Sequence, residues 1–349
     1  MPGWVRKGVP TTTSDGPTGP TFSRAALQAA VATELPLPGR GLTAQRWAQL
    51  AEVARGDLAL AKLVEPHHDA TAILADLGGR PPAPGEVWAV WAAEPPGAGF
   101  RAEPASQPDD GSGWRLSGRK PFCSGAAVVT HALITAHDVQ ADASRLFAVD
   151  LRTERDLGAR AVVEPAAWAG AGMAAADTRT LACADVRASP VGEPGAYTDR
   201  VGFWHGGIGV AACWVGGVRG VAARLLDAVG RRPPTDLTLM HLGAVGAAVD
   251  RCEAMLAVAA VRADTGEHTT PDVARRDAET VRATVADAVD EVVSRVGRAL
   301  GPGPLALDAE HARRVADLQV FVRQHHGEAD LVALGRLLLD GGTSGLERW

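Results

Sequence analysis

The chain has 349 residues and a formal net charge of −6, with 46% hydrophobic and 22% charged residues. These fractions are typical of a globular protein, so a mostly disordered or collagen-like chain is excluded. Because the net charge is negative and basic residues are interleaved with acidic ones, we expect no nucleic-acid surface and no attraction to a membrane.

Targeting and redox signals are sparse. The first residues, MPGWVRKGVPTTTSDG, lack the apolar core of a signal peptide, and no run of about 18 apolar residues follows. We therefore expect a cytoplasmic protein. The four cysteines contain no CxxC spacing, which argues against a zinc site or a disulfide framework. They are expected to be buried small apolar residues.

Helices are predicted for the first part of the chain. Residues 1–20 are rich in Pro, Gly, Ser and Thr and are expected to form a flexible arm. Residues 21–84 contain alanine- and leucine-rich helical segments and form a predicted N-terminal helical domain. The segment GGRPPAPGE at 78–86 has three prolines and three glycines and ends it.

Short strands are predicted for residues 85–194. The segments suit strands of about five to eight residues, and Ser117-Gly118 lies between two alternating stretches as a hairpin signal. The segments are VWAVWAAE, WRLSGRKPFCSGA, HALITAHD, RLFAVDLR, ARAVVEPA and TRTLACADVRA.

Residues 195–349 return to helical patterns. Their clearest signal is one apolar stripe with spacings of 4, 4, 3, 4 and 4, made of Val281, Val285, Val289, Val292, Val296 and Leu300. After a GPGPL break, a last helix is predicted from His311 to Asp340. The order predicts an α+β multidomain protein with an N-terminal helical domain, a middle β-sandwich or barrel-like domain, and a C-terminal four-helix-type bundle.

Three motifs in the β region carry a family resemblance. Residues 94–99 read EPPGAG, residues 113–120 read GWRLSGRK, and residues 122–126 read FCSGA. With the segments at 172–190 and 216–222, their order resembles the acyl-CoA dehydrogenase superfamily, over roughly residues 23–338. The chain shows no GxSxG, no P-loop and no strand-linked GxGxxG motif, which argues against hydrolase, P-loop and Rossmann functions.

The resemblance implies FAD and assigns positions to it. A flavin ring needs an aromatic wall and a few polar groups. From the β region the implied contacts are Trp91, Ala92, Ala93, Phe122, Cys123 and Ser124. The positions that reach the FAD of a neighbouring subunit in the family correspond to Arg231, His241, Arg298 and Gly301. From the residues alone, the favoured interpretation is that these side chains belong to a β core.

At both positions where the resemblance places the family's catalytic base, this chain has no carboxylate. In most members of the family the base is a Glu, and the corresponding position in this chain is near His325. In a minority the Glu lies on the helix after the β domain, and the corresponding position here is near Val210. His325 is our candidate catalytic residue because imidazole titrates near neutral pH. Its alternative is an exposed polar turn. His205, at a helix start, is the candidate substrate residue, with helix packing as the alternative.

The adjacent pair His67-His68 lacks the i,i+4 spacing of a metal site, so no metal is expected, and Glu65 to Asp69 is expected to be a solvated helix face. The leading hypothesis is an FAD-dependent acyl-CoA dehydrogenase-like oxidoreductase acting on an acyl thioester or a small tailoring substrate. One alternative is a catalytically silent subunit that pairs with an active homologue. The other is a flavin-dependent oxygenase of the same superfamily. A homodimer or tetramer is expected.

Overall fold

A computed structural model describes residues 22–95, 97, 99–105, 113–156, 160–231 and 233–340. The predicted flexible arm, residues 1–20, lies outside the described residues. In chain order, the described elements are first helical, then mainly β, then helical again. This order agrees with the sequence pattern.

Helices α1 (Arg24–Ala30), α2 (Thr43–Gly56) and α3 (Leu58–Leu77) open the fold. The Asp57 side chain accepts a hydrogen bond from the Leu60 amide and caps α3, and Gly78 ends that helix at a φ of +77°. Helix α3 is apolar around most of its circumference and is packed against both the β region and the long helix α5. Few of its residues therefore face water.

The β region is a closed barrel. Its strands are β1 (Trp88–Trp91), β2 (Arg101–Pro104), β3 (Trp114–Cys123), β4 (His131–Asp138), β5 (Ala143–Asp150), β6 (Ala161–Val163) and β7 (Arg179–Val191). Strands β4, β2, β3, β7 and β5 pair in that order, and β5 pairs again with β4 to close the ring. Strands β1 and β6 extend it beside β4 and β7. Closure leaves the ring without a free edge.

Two details of the β prediction are wrong. Ser117-Gly118 is not a hairpin, because β3 runs straight through it with a register shift. Gly118 has a φ of +121°, and a Cβ there would lie 2.8 Å from the carbonyl oxygen of Gly99, so it marks a bulge at a close backbone approach. The segment RLFAVDLR is not all strand either, since helix α4 (Leu151–Asp156) begins after Asp150.

The helices after the barrel are α5 (Val201–Arg231), α6 (Asp236–Asp264), α7 (Pro271–Leu300), α8 (Gly303–Leu307), α9 (Ala309–Phe321) and α10 (Glu328–Asp340). The five valines of the predicted stripe are all buried on α7. The predicted last helix is interrupted: a 3₁₀ turn, Val322–Gln324, follows α9, and Gly327 has a φ of +57°. The break places His325 in a loop.

Helix α5 is the axis of the helical region. It is long and apolar enough to cross a membrane by length and composition, yet 72% of its most apolar window is buried inside the protein. A Cβ at Gly216 would lie 2.1 Å from the carbonyl oxygen of Ala51, so α2 packs directly on the α5 backbone.

The four cysteines are free and buried, which confirms their prediction as small core residues. They are Cys123, Cys183, Cys213 and Cys252.

Candidate functional site

A cleft opens where α3 meets the barrel. It is lined by side chains of α3, of β1 and of the end of β3, and the enclosed part measures only about 40 Å³. Its walls are Lys62, Leu63, Pro66, Ala89, Val90, Trp91, Phe122, Ser124 and Val129. A volume of this size holds a water molecule or two, so a larger ligand has to lie across the mouth of the cleft.

Phe122 forms the rim of this cleft. Its backbone has a φ of +60°, a left-handed conformation that is rare for a bulky residue, and 58% of the residue is exposed. Two features of Phe122 lower the stability of the fold: its aromatic ring is exposed to water, and its backbone is strained. Such strain is typical of positions that serve a ligand.

The polar groups beside Phe122 are held in position by hydrogen bonds. The Trp91 indole Nε1 donates to the Ser124 carbonyl oxygen at 3.1 Å, and the Ser124 Oγ lies 2.9 Å from the Thr178 Oγ1. Ala92 is half-buried and Ala93 is exposed just after β1. The Phe122 ring and the Ser124 hydroxyl thus lie beside the end of β1 at one cleft.

Cys123 differs from its neighbours. Its side chain is fully buried, its Sγ donates to the Lys120 carbonyl oxygen at 3.3 Å, and burial raises the pKa of its thiol to about 12. The thiol therefore belongs to the barrel core. Of the six predicted residues of this group, three line the cleft, namely Trp91, Phe122 and Ser124, and Ala92 and Ala93 directly follow Trp91 in the chain.

The aromatic and hydroxyl groups at the rim fit a flavin ring. An isoalloxazine is flat, partly apolar and edged with hydrogen-bonding atoms. The exposed Phe122 ring offers a flat apolar surface to the face of such a ring. Ser124 and Thr178 offer hydroxyl groups beside it, which suit the polar edge. The ring system would lie across the mouth because the enclosed space is too small for it.

The face of α3 that turns toward α5 carries charges, contrary to the predicted solvated face. Glu65 is only 6% exposed, and His67 and His68 are buried as well. Burial, and then the nearby Asp69, raise the pKa of Glu65 to about 8, while Lys62 and Arg46 oppose this rise. Burial lowers the pKa of Lys62 and raises that of Asp69.

These α3 charges have few partners. Within the described residues, Glu65 and Asp69 make no hydrogen bond and no ion pair within 4 Å, and nearby cations only oppose the rise of their pKa values. The Lys62 Nζ acts on Glu65 in this way and also lies 5.2 Å from the centroid of the Phe321 ring. A buried unpaired carboxylate is costly, and perturbed groups of this kind cluster at functional sites. A sequence signal for them exists: α3 is apolar around most of its circumference, so its few charged residues are packed among apolar neighbours.

His205 lies in a buried chain of hydrogen bonds. Its Nε2 is 2.9 Å from the His268 Nδ1, and the His268 Nε2 is 3.1 Å from the Asp277 Oδ2, which Arg262 also holds at 3.0 Å. Burial, followed by the neighbouring His268, lowers the pKa of His205 to about 4. The chain ties the start of α5 to the start of α7.

His325 lies in the loop before α10 and is 8% exposed, so it is not the exposed polar turn considered as the alternative. Its Nε2 has no hydrogen-bond partner in the described structure, and the nearest acid is the Asp330 Oδ2 at 3.8 Å. Burial lowers its pKa, which favours the neutral form of the imidazole. Arg282 lies between His325 and the α3 charges, donating to the carbonyl oxygens of Gly207 and Gln324.

The remaining predicted cofactor residues lie elsewhere, at the far end of the helical bundle. Arg231 ends α5, His241 is in the second turn of α6, and Arg298 and Gly301 are at the end of α7. The starts of α5 and α7 are joined through His205, at the opposite ends of these helices from Arg231 and Arg298. Both arginines are exposed. One chain therefore does not bring this group to the cleft.

No family model and no curated protein sequence matches this chain. Among solved structures it is similar to KijD3 in complex with FMN and a dTDP-linked amino-keto sugar, with 20% identity, a TM-score of 0.73, and coverage of 92% of this chain and 87% of that chain. It is similar to butyryl-CoA dehydrogenase from Megasphaera elsdenii, with 16% identity, a TM-score of 0.69, and coverage of 83% and 80%.

A further similarity is to TdsC from Paenibacillus sp. A11-2 with FMN and indole, with 17% identity, a TM-score of 0.73, and coverage of 91% and 90%. These likenesses span nearly whole chains on both sides. They show that the chain has the fold of the acyl-CoA dehydrogenase-like flavoproteins.

Proposed function

We propose that this chain is a flavin-dependent oxidoreductase, with the flavin ring lying across the mouth of the cleft beside Phe122. The observation that carries the proposal is the exposed Phe122 ring, held at a φ of +60° between the hydroxyl pair of Ser124 and Thr178 and the end of β1. The proposal agrees with the neighbours of the same fold, which were crystallised with FMN.

The residues at the cleft would share the work of holding the ring. Phe122 would cover one face, and Ser124 and Thr178 would offer hydroxyls to its polar edge, while Trp91 keeps β1 and β3 together. When bound, the flavin supplies the two-electron acceptor of the reaction. The protein's own groups then have to bind the substrate, exclude water and move its proton.

We further propose FAD and a homo-oligomer. At 1.5 Å per residue, the part of α5 from Gly209 to Arg231 is about 33 Å long, so the bundle-end residues lie far from their own cleft. Arg231, His241, Arg298 and Gly301 would meet the pyrophosphate end of a flavin held by a second copy. Guanidinium groups suit a pyrophosphate.

The substrate we favour is a small polar molecule rather than a long acyl thioester. Lys62 lines the cleft, and an acyl chain lying there would remove its charge from water without offering it a hydrogen bond. Neither family base position holds a carboxylate, since those positions are Val210 and His325. Fatty-acid oxidation is therefore disfavoured. We still propose His205 as a substrate-binding residue. Its Nδ1 would contact the substrate, because its Nε2 is hydrogen-bonded to His268.

We also propose a cytoplasmic location. All four cysteines are free thiols buried in the core, and none is paired in a disulfide. This state suits a reducing compartment.

A visible spectrum of the purified protein tests the function. We expect a yellow protein, or one that becomes yellow with FAD or FMN and stays so after gel filtration. Acyl-CoA esters, primary amines and secondary alcohols are then added without oxygen. Direct bleaching by one of them identifies a dehydrogenase, whereas bleaching that needs an external reductant identifies an oxygenase. A protein that retains no flavin would overturn the proposal and favour a silent subunit.

A further inference from the structure

Among the described residues that line the cleft, one side chain is charged, and it belongs to Lys62 of α3. Lys62 is half-buried, and within the described residues its Nζ makes no hydrogen bond and no ion pair within 4 Å. The Nζ lies 5.2 Å from the centroid of the Phe321 ring, a cation–π contact that uses none of its three N–H donors. The wall of the cleft thus carries an amino group without a hydrogen-bond partner.

The acidic groups around Lys62 do not supply a full counter-charge. The groups that act on its pKa are Glu65 of α3, Cys213 of α5 and Arg282 of α7. Burial raises the pKa of Glu65 to about 8 and that of the Cys213 thiol well above its usual range, so both favour their neutral forms at neutral pH. Arg282 adds a second positive charge. Burial therefore lowers the pKa of Lys62, and the opposing effect of Glu65 does not cancel this.

The same wall of the cleft contains a proline inside a helix. Pro66 lies one turn after Lys62 in α3 and also lines the cleft. It has no amide N–H, so the Lys62 carbonyl oxygen lacks the donor that a helix normally provides four residues later. An unpaired amino group and a helix-interior proline both lower stability, and they occur together on one wall. Local departures of this kind are expected at functional sites.

We propose that Lys62 stabilises the negative charge that the flavin gains on reduction. This inference rests on the proposed function, because it needs a flavin across the mouth of the cleft beside Phe122. Lys62 and Phe122 line the same cleft, so a ring that lies against Phe122 is bound in the opening whose wall carries the Lys62 amino group. The flexible four-carbon stem of a lysine lets its Nζ approach such a ring.

The charge balance of the reaction gives Lys62 this role. Hydride transfer from the substrate brings two electrons and one proton to a ring that is neutral when oxidised, so one negative charge remains on the reduced ring. A charge near the ring nitrogens tunes the electronics of a flavin. Two opposite charges attract each other more strongly in a partly desolvated cleft than in water. The Lys62 ammonium therefore favours reduction and raises the reduction potential.

The reduction potential of the bound flavin tests this role without any substrate. Wild type, Lys62→Met and Lys62→Arg are loaded with FMN and reduced slowly by xanthine and xanthine oxidase beside a dye of known potential. Relative to oxidised FMN, Lys62→Met should bind reduced FMN about 10- to 100-fold more weakly than wild type does, which lowers the potential by about 30–60 mV. Lys62→Arg keeps the positive charge and should change this ratio by no more than about twofold.

Two comparisons separate this role from general effects. Arg55→Met removes a positive charge of α2 that is 50% exposed, and it should leave the potential unchanged. An equal shift in Arg55→Met would reduce the effect to one of net charge and overturn the proposal. The oxidised ring is neutral, so fluorescence titration should give dissociation constants for oxidised FMN within about threefold in Lys62→Met and wild type.

Riboflavin, which has no phosphate, is titrated beside FMN. Weaker binding of oxidised FMN but not of riboflavin by Lys62→Met would place Lys62 at the phosphate and overturn the proposal. Equal losses of about tenfold for both would also overturn it, because they indicate that the side chain only packs the cleft.

The remaining outcomes distinguish this inference from the proposed function. A wild-type chain that takes up no flavin overturns the proposed function, and this inference with it. A flavin-loaded Lys62→Met with the wild-type potential overturns only the inference. So does a lowered potential that is the same in Lys62→Arg, because the positive charge is then not what stabilises the reduced ring.

Discussion

The Trp91 indole donates a hydrogen bond of 3.1 Å to the carbonyl oxygen of Ser124. This bond fastens the end of β1 to the residue that follows β3, and Phe122 is two residues earlier. The bond therefore fixes the backbone that follows Phe122 against β1. That arrangement lets an exposed aromatic side chain keep a strained backbone.

Phe122→Gly should raise stability and weaken flavin binding. Glycine adopts a φ of +60° without strain, so we expect a gain of about 1 kcal/mol in the free energy of unfolding. Loss of the aromatic face should lower flavin affinity about tenfold. Thermal unfolding and titration of flavin fluorescence measure the two effects. Asp142→Gly, at a φ of +51° in an exposed turn, should raise stability alone.

Gly206→Ala and Gly209→Ala should behave differently. A Cβ at residue 206 would lie 2.8 Å from the Asp69 Oδ1, so we expect a loss of about 1–3 kcal/mol of stability. At residue 209 the nearest atom would be 3.5 Å away, and alanine should gain about 0.5–1 kcal/mol as a better helix former. Thermal unfolding of the two variants measures the difference, and equal stabilities would contradict it.

Glu65 should make stability depend on pH. Its pKa is raised from 4.5 to about 8 in the folded chain, so the folded state binds this proton more tightly than the unfolded state. The resulting stabilisation is complete below the unfolded pKa and is lost as pH rises through about 8. Between these limits the wild type should lose up to about 5 kcal/mol of stability relative to Glu65→Gln. Denaturant unfolding of both at several pH values checks this, and parallel curves would contradict it.

His325→Ala tests the candidate drawn from the family position. The neutral, buried imidazole has an unpaired Nε2, so its loss should leave flavin binding intact and lower turnover tenfold or more if it touches the substrate. His326→Ala is the matched control, since that neighbour is exposed and paired with Asp330 at 3.2 Å. Unchanged turnover in His325→Ala would leave this residue with a packing role.

Arg231→Ala and Arg298→Ala test the shared cofactor site. If these exposed side chains meet a pyrophosphate bound by another copy, each change should weaken FAD about tenfold and leave FMN unaffected. Equilibrium dialysis with the two flavins measures this. Arg323→Ala, an exposed arginine on the loop before α10, serves as control. Equal losses for FAD and FMN would contradict a pyrophosphate contact.

Periodicity and turn residues determined much of this fold from the sequence alone. The valine stripe of α7 is buried as its spacing predicts, and the strands follow the short segments bounded by turn residues. Motif order was enough to indicate the acyl-CoA dehydrogenase-like fold and to bring Trp91, Phe122 and Ser124 to one cleft. These features depend on local patterns, which the chain order preserves.

Only the tertiary structure decided which charges are buried. By residue type, Glu65 is expected at the surface. It is buried because α3 is enclosed by the barrel on one side and by α5 on the other. The hairpin at Ser117-Gly118 failed for a related reason, because a backbone approach from Gly99 makes that glycine a bulge. Long-range packing sets solvent exposure, and solvent exposure sets the pKa of a carboxylate and hence its chemistry.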